Sequence, residues 1–371
     1  MKKYLISGIG PGEAGAARLV SHLKGLAEEN GWNVIYPYKH VSLNRLYKQK
    51  SYLQLCIEII KRFFMRLVFI IRILLIRNSK ILLLHPQTLG YKYFIRLILK
   101  NTHIYQYVLD NSFFCIKSYN YKDKHECLQC VNDLDACDKS CQAFPVKYRK
   151  KNNLDLLKKY KELSTKITFL AQSVSQEKLL RLHFGMKSNI KIVGMYTGEI
   201  IDCKYIDNSS DYIVYHGSEH ESKGIMYFLE LAEKLPEFKF IIPHEKNRVY
   251  PNLDNVKYQP CSWETGLKYL VENARMVINP SLWSAPIEGA LLKSMALNKH
   301  VVAVKTKYGF VNEIPDEVLF KVSEEQLEDD IIKIRNFLSQ KLNDTSKVEN
   351  WLKEYLNSSN RSLIDFFSSI S

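Results

Sequence analysis

Short apolar runs, each ending in a polar turn that leads into a helix-patterned segment, recur along the whole chain, and this alternation limits the fold more than any other feature. In the first half the runs are Tyr4–Ser7, Asn33–Tyr36, Lys80–His85, Ile104–Val108, Ile167–Ser173 and Ile190–Val193. The series restarts at Tyr212–His216 and continues through Phe238–Ile242, Val256–Tyr258, a run ending at Val277 and Ile278, and Val301–Val304. Between them lie helical patterns at Ala16–Glu29, Leu53–Ile76, Tyr91–Leu99, Gln176–Phe184, Ile225–Leu235 and Trp263–Asn273. Lys147–Lys161 reads as a basic helical connector, and Ser323–Gln340 and Val348–Phe367 as closing helices. Short apolar strands exchanging regularly with helices predict parallel βαβ units. Two such series separated by the polar stretch Asp202–Asp211 predict two doubly wound α/β domains and not one sheet. The 371 residues, 46% of them hydrophobic, suffice to give each domain its own core.

In open parallel sheets ligands bind beyond the carboxyl ends of strands, so the loops that follow the apolar runs are where chemistry is expected. The first such loop, Gly8 to Gly15, offers Gly10, Gly12 and Gly15 as points where backbone can approach a ligand in the cleft, with a plain tight turn as the alternative. The loop from Gly217 through Ser218 to Lys223 and Gly224 precedes the helix at Ile225 and carries a lysine able to meet an anion. The loop from Asn279 to Gly289 joins a buried strand to a helix that contains Ala290, Leu291, Leu292, Met295 and Ala296. Its only carboxylate is Glu288, which either serves a ligand or favours the helix start through the dipole. Asp110, at the end of a first-half strand, is a candidate base or acceptor-orienting group, or else a turn residue.

Charge and cysteine placement add two further expectations. Lysines and arginines number 53 against 39 acids, a net charge of +14 that attracts polyanions: nucleic acid, anionic lipid or phosphorylated substrate. Between residues 45 and 100 the only acid is Glu58. A helix over Leu53–Ile76 would set Lys61, Arg62, Arg66 and Arg72 on one side and Ile60, Phe63, Phe64, Leu67, Ile71 and Leu74 on the other. Arg66 and Arg72 leave less than the roughly 20 apolar residues a span requires. The segment is then an in-plane membrane helix, or a domain helix packed on the sheet with a solvated basic edge. The start Met1-Lys2-Lys3 runs into a short strand instead of a signal sequence, which predicts a cytoplasmic protein. Five of eight cysteines fall between Cys115 and Cys141, and Cys127, Cys130, Cys137 and Cys141 have spacings suited to tetrahedral zinc with bonds of about 2.3 Å. A closed four-sulfur site is structural, so no catalytic metal is expected. Asp133 and Asp135, inside this loop, form a chance DxD pattern.

Taken together, these loops resemble those of nucleotide-sugar glycosyltransferases with the GT-B fold, especially the family 4 type. Asn279–Ala296 is similar to that family's PSxxEGFGLPxLEAMA text, Gly217–Gly224 to its GRxxxxKG segment, and Asp110–Cys115 to HDxWxxC. The resemblance implies two Rossmann-like domains: an acceptor side over 1–205 with the cysteine-rich insertion 115–141, and a donor side over 206–347. A terminal helix, 348–371, would return to the first domain. It further implies that Gly217, Ser218 and Lys223 meet the donor diphosphate, and that Pro286, Ile287, Glu288 and Gly289 form the donor-sugar loop. Matching Pro280–Leu282 and Ser294–Ala296 to the ends of the family text puts Ala285 near the first family glutamate, whereas a shifted register, the one favoured, gives that role to Glu288. The partners implied are a nucleoside diphosphate sugar, a glycan or lipid-linked acceptor and an anionic membrane surface, with no nucleic acid, for an enzyme peripheral on the inner face of the plasma membrane. Retention of anomeric configuration is implied as well. Three positions depart from the pattern: Ser218 replaces an arginine, Leu109 a histidine and Lys293 the second glutamate. Those departures keep an inactive GT-B subunit in view, and the charge keeps a zinc-containing nucleic-acid-binding protein in view.

Overall fold

The computed structural model describes all residues except 14, 39, 145–149, 199–201, 207–209, 248, 324–326, 341–343 and 371. The first half comprises β1 (Lys3–Ser7), α1 (Gly15–Glu29), β2 (Asn33–Ile35), α2 (Leu43–Lys48), α3 (Tyr52–Leu75), β3 (Lys80–Leu84), α4 (Pro86–Leu89), α5 (Tyr91–Lys100) and β4 (His103–Tyr107). A two-stranded hairpin, β5 (Tyr121–Lys122) and β6 (His125–Glu126), interrupts the series before α6 (Lys150–Glu162), β7 (Ile167–Ala171), α7 (Val174–Phe184) and β8 (Asn189–Ile192). The second half contains β9 (Tyr212–Tyr215), α8 (Ile225–Lys234), β10 (Lys239–Ile242), β11 (Val256–Tyr258), α9 (Lys268–Asn273) and β12 (Met276–Asn279). It closes with α10 (Gly289–Leu297), β13 (Val301–Lys305), β14 (Phe320–Ser323), α11 (Leu327–Ser339) and α12 (Ser346–Ser369).

Each half builds one parallel six-stranded sheet, in the order β2-β1-β3-β4-β7-β8 and β11-β10-β9-β12-β13-β14. Successive residues of a strand face opposite sides, so a strand covered on both faces is apolar throughout. Thus Leu83 and Phe169 join one core while Leu82 and Leu170 join the core on the other face. In the second half Ile213 and Ile278 pack under α8 and α11, and Val214 and Val277 pack under α9 and α10. Both sheets reverse strand order once, between β1 and β3 and between β9 and β12. The crevices at these points are where an open α/β sheet accepts a ligand.

Helix α12 spans both halves. Leu352 and Leu356 belong to the core beneath α10, whereas Leu363, Phe366 and Phe367 fill the core beneath α1. The Phe367 ring meets Trp32 edge-on at 5.4 Å, and the Thr197 N–H donates to Asn360 Oδ1 at 2.9 Å.

Three elements differ from the sequence expectation. The strand β14 has no counterpart in the sequence pattern, which gives only a helix from Ser323, because Phe320–Ser323 is a short run with lysine in its middle; α11 begins at Leu327. Trp263–Asn273 is not one helix: Gly266, at φ 141°, separates a π-turn from α9. Helix α3 inverts the packing alternative. Within it only Glu58 and Ile73 are buried, while Phe63 is 74% and Phe64 60% exposed, so the broad apolar face is not on the sheet. Glu58 is held inward because its Oε1 accepts from the Val41 N–H at 3.2 Å and from Arg62 Nε at 3.3 Å, with His40 Nδ1 at 3.2 Å. Among the described residues no helix is long and apolar enough to cross a membrane.

Candidate functional site

The two second-half loops meet at the reversal between β9 and β12. Gly224 opens α8 in the left-handed region, at φ 75° and ψ 25°. A Cβ there would collide with the Pro280 carbonyl, so glycine is what lets the two loops touch. The Leu282 N–H donates to the Ser222 carbonyl at 2.9 Å, and Asn279 Nδ2 donates to the His216 carbonyl at 2.6 Å. Tyr215 Oη donates to the Ser218 carbonyl at 2.8 Å and sits 3.0 Å from that of Lys223, while His244 Nε2 lies 2.8 Å from the Gly217 carbonyl. The first loop is therefore fixed from below by Tyr215 and from the side by His244.

This joining brings Lys223 onto Glu288. Lys223 Nζ bonds Glu288 Oε1, Ser281 Oγ donates to Glu288 Oε2 at 2.7 Å, and both charged side chains are only 16% exposed. Glu288 occupies the cap position of α10, yet its side chain makes no cap hydrogen bond. Its oxygens are directed at Lys223 and Ser281 instead. Lys223 Nζ lies 4.7 Å from the Trp283 ring centroid and 5.7 Å from that of Tyr119. Beside the pair is a narrow cavity lined by Asn279, Ser281, Trp283, Pro286, Glu288 and Thr306, among others. Two buried polar atoms of that lining, Asn279 Oδ1 and Trp283 Nε1, have no hydrogen-bond partner.

The other predicted positions fall as follows. The Ile287 side chain is buried in the core under α10, and Gly289 is the first residue of α10. Lys293, in the second glutamate's place, stacks its ammonium 4.3 Å from the Trp263 ring centroid, and that ring in turn stacks on His216 at 5.4 Å. Burial first, then the charge of Lys293, push His216 down to about 3, so it is neutral at pH 7; its Nδ1 lies 2.8 Å from Ser294 Oγ.

In the first half Asp110 makes a turn: its Oδ1 accepts from the Ser112 N–H at 2.9 Å. Its other oxygen accepts from Gln87 Nε2 at 2.5 Å and lies 3.9 Å from His85 Nε2. Burial holds His85 below the usual imidazole range although Asp110 acts against it. Gly12 is tied to α1 through Ser21, whose Oγ accepts from the Gly12 N–H at 3.0 Å; Gly15 begins α1 at φ 51°, and Gly10 lies beside Tyr36. Among the described residues no hydrogen bond or ion pair joins Gly10, Gly12, Gly15 or Asp110 to Lys223 or Glu288. Tyr119, from the first half, lies against the second-half loop. Burial, then the charges of Asp110 and Glu288, push its phenol up to about 12, and its ring meets Trp283 edge-on at 4.8 Å. Tyr119 and Trp283 were not singled out from sequence; an aromatic inside the Asn279–Gly289 loop was the available signal for Trp283.

Cys127, Cys130, Cys137 and Cys141 are free thiols and line one small cavity together with Cys115. Burial, with Cys127 and Cys141 nearby, pushes the Cys115 thiol up to about 12. Among the described residues no three His, Cys, Asp or Glu side chains are placed to hold a metal ion.

No protein-family model and no curated protein sequence matches the chain. Among solved structures it is similar to Anabaena HepE in complex with UDP, at TM-score 0.60 and 11% identity over 100% of both chains. It is likewise similar to sucrose-phosphate synthase from Thermosynechococcus elongatus, at TM-score 0.58 and 13% identity over 99% of this chain and 95% of that one. TarM matches at TM-score 0.53 and 16% identity over 78% of this chain; the match spans 54% of TarM, about half its length. These likenesses establish the fold: two facing parallel-sheet α/β domains of the GT-B type.

Proposed function

We propose that the chain is a glycosyltransferase that moves a sugar from a nucleoside diphosphate donor to an acceptor hydroxyl. The observation that carries this reading is the Lys223–Glu288 pair, backed by Ser281, at the strand-order reversal between the starts of α8 and α10. A diphosphate entering there exchanges places with the Glu288 carboxylate as partner of Lys223, and the first N–H groups of α10 at Gly289 add donors. Glu288, released from Lys223, accepts hydrogen bonds from ribose or sugar hydroxyls. The structural neighbour HepE has been solved with UDP and with UDP-glucose, which supports a nucleotide-sugar ligand. Asp110 is the acceptor-side candidate, retention of configuration is the expected outcome, and no metal is required for the departure of the diphosphate. We take residues 1–205 as the acceptor domain, 206–347 as the donor domain and 348–371 as the returning helix.

The acceptor we propose is lipid-linked or a growing surface glycan, reached from the cytoplasmic face of the membrane. The support is α3, whose exposed Ile60, Phe63, Phe64, Leu67 and Leu75 lie on a helix that also carries Lys61, Arg62, Arg66 and Arg72, the pattern of a helix lying in an anionic interface. The test of the donor reading is calorimetric titration of the purified chain with nucleoside diphosphates and their sugar conjugates, followed by donor hydrolysis and transfer assays. Saturable binding of one base's diphosphate supports it. Binding of short oligonucleotides in place of any nucleoside diphosphate overturns it in favour of a nucleic-acid partner, and donor binding without hydrolysis or transfer reduces the chain to an inactive subunit.

A further inference from the structure

Ser284 stands in the middle of the loop between β12 and α10, and the first half of the chain takes up all of its polar atoms. Its N–H donates to Asn120 Oδ1 at 3.1 Å, its carbonyl accepts from Asn111 Nδ2 at 2.9 Å, and its hydroxyl accepts from Asn120 Nδ2 at 2.8 Å and donates to Glu126 Oε1. Asn111 Nδ2 also donates to Asn120 Oδ1 at 2.7 Å, which ties the two asparagines together; both are fully buried. Glu126, at the end of the β5–β6 hairpin, then reaches the loop after β13. Its Oε2 accepts from the Lys307 N–H at 2.8 Å, and its Oε1 accepts from that of Tyr308 at 3.2 Å. The 306–310 loop is itself joined to the first: Thr306 Oγ1 donates to the Trp283 carbonyl at 3.2 Å and the Phe310 N–H to the Ala285 carbonyl at 3.0 Å. One carboxylate therefore fixes both walls of the cavity beside Lys223 and Glu288.

We propose that Asn111, Asn120 and Glu126 are positioning residues that clasp Ser284 and thereby set the donor loop. The inference rests on the reading of that cavity as the donor site. The loop from Pro280 to Glu288 has no regular secondary structure, so its shape is set by what its backbone bonds to. Ser281 and Trp283, three and one residues before Ser284, face Glu288 and Lys223 respectively, so loosening Ser284 misplaces both. None of the three clasp residues needs to touch the donor. The cysteine-lined segment begins at Cys127, whose N–H donates to the Asn120 carbonyl at 2.8 Å.

The experiment titrates full-length wild type, Glu126→Ala, Glu126→Gln, Ser284→Ala and the Glu126→Ala/Ser284→Ala double variant with UDP, and follows amide hydrogen exchange over 282–288 and 306–310. Loss of charge-assisted bonds weakens UDP binding about tenfold in Glu126→Ala. Glu126→Gln recovers part of the loss, because its single amide oxygen still accepts from the Ser284 hydroxyl and the Tyr308 N–H, while its NH2 faces the Lys307 N–H from which it can no longer accept. The double variant is no weaker than Glu126→Ala by more than about twofold, since both changes break one clasp. Exchange in both loops speeds up. Variants that are folded, bind UDP as wild type does and exchange at its rate overturn the clasp, as do losses that multiply in the double variant. If Glu126→Ala does not fold, Glu126→Gln and Ser284→Ala carry the same comparison. If wild type binds no nucleoside diphosphate at all, the donor reading fails separately, and unchanged exchange in the variants still decides against the clasp.

Discussion

The Lys223–Glu288 pair makes a prediction in which two neighbouring substitutions move affinity in opposite directions. A lysine contact with a diphosphate is worth about 1.5–3 kcal/mol, as hydrogen bonds to charged groups are. Before the diphosphate can take that contact, Lys223 must leave Glu288, with which it forms a mostly buried ion pair. Such a pair is worth more than the 0–1 kcal/mol of an exposed one and is partly offset by desolvation, so we set its cost at about 1 kcal/mol. The net loss for Lys223→Ala is then about 0.5–2 kcal/mol, or roughly 2- to 30-fold in the dissociation constant for UDP. Glu288→Gln removes the competitor and keeps the shape, so UDP binds up to about fivefold more tightly. The same change removes a charged acceptor for sugar hydroxyls, so the advantage of UDP-glucose over UDP shrinks. Isothermal titration of the three proteins with both ligands at physiological ionic strength decides the matter. Equal loosening of UDP by both substitutions would show that Glu288 assists the diphosphate instead of competing with it, and unchanged affinity in Lys223→Ala would remove the phosphate role altogether.

Three further outcomes are expected. Replacing Phe63 and Phe64 by serine, or neutralising Lys61, Arg66 and Arg72, should each reduce co-sedimentation with phosphatidylserine-containing vesicles, since apolar and electrostatic contributions add; wild-type sedimentation in both variants would remove the membrane face. Zinc held by Cys127, Cys130, Cys137 and Cys141 requires the thiols to turn toward a common centre, and elemental analysis should then find about one zinc per chain, lost together with thermal stability in Cys130→Ser. Metal-free wild-type protein with the same melting temperature as the variant rejects the site. His216 is depressed to about 3 in the folded chain against about 6.5 unfolded, and the unfolded chain therefore binds the extra proton. Its stabilising contribution is complete above pH 6.5 and is lost progressively as pH falls toward 3. His216→Gln should therefore flatten the decline of melting temperature between pH 6.5 and 4, and parallel profiles would refute the assignment.

What could be read from sequence and what could not divides by the range of the interactions involved. Strands such as Lys80–Leu84 and Val301–Lys305 are continuous apolar runs because both of their faces are covered, a property written into neighbouring residues. The edge strand β14 was missed because one flank is free of a strand partner and its sequence, Phe-Lys-Val-Ser, carries less of that signature. For α3 the periodicity separated the basic from the apolar side, but periodicity cannot say which side meets the protein. That was settled by Glu58, whose partners His40 and Val41 lie upstream of the helix. Lys223 and Glu288 could each be chosen as a lone charge in a loop after a strand. Their pairing depends on Gly224 meeting Pro280, which no local pattern encodes. The clasp on Ser284 was invisible for the same reason: Glu126 and Ser284 are separated by 158 positions.

The same distinction bears on the three departures from the glycosyltransferase pattern. Lys293 lies against Trp263 and His216, on the α10 face that packs beside β9, while the carboxylate facing Lys223 comes from Glu288 at the helix start. A lysine in place of the second glutamate therefore leaves the Lys223–Glu288 geometry intact. Ser218 contributes its carbonyl to Tyr215 and so keeps a loop-shaping role even without a guanidinium. Leu109 packs against the core beneath α1, whereas Asp110 beside it keeps its carboxylate on Gln87 and Ser112. Of the three, only the exchange at Ser218 removes a cation from the loop that carries Lys223. The diphosphate contact then falls more heavily on Lys223 and on the N–H groups at the start of α10, and restoring the cation with Ser218→Arg should tighten UDP binding in wild type and recover part of the loss in Lys223→Ala. An arginine at 218 that leaves both affinities unchanged would place the phosphates elsewhere than over this loop.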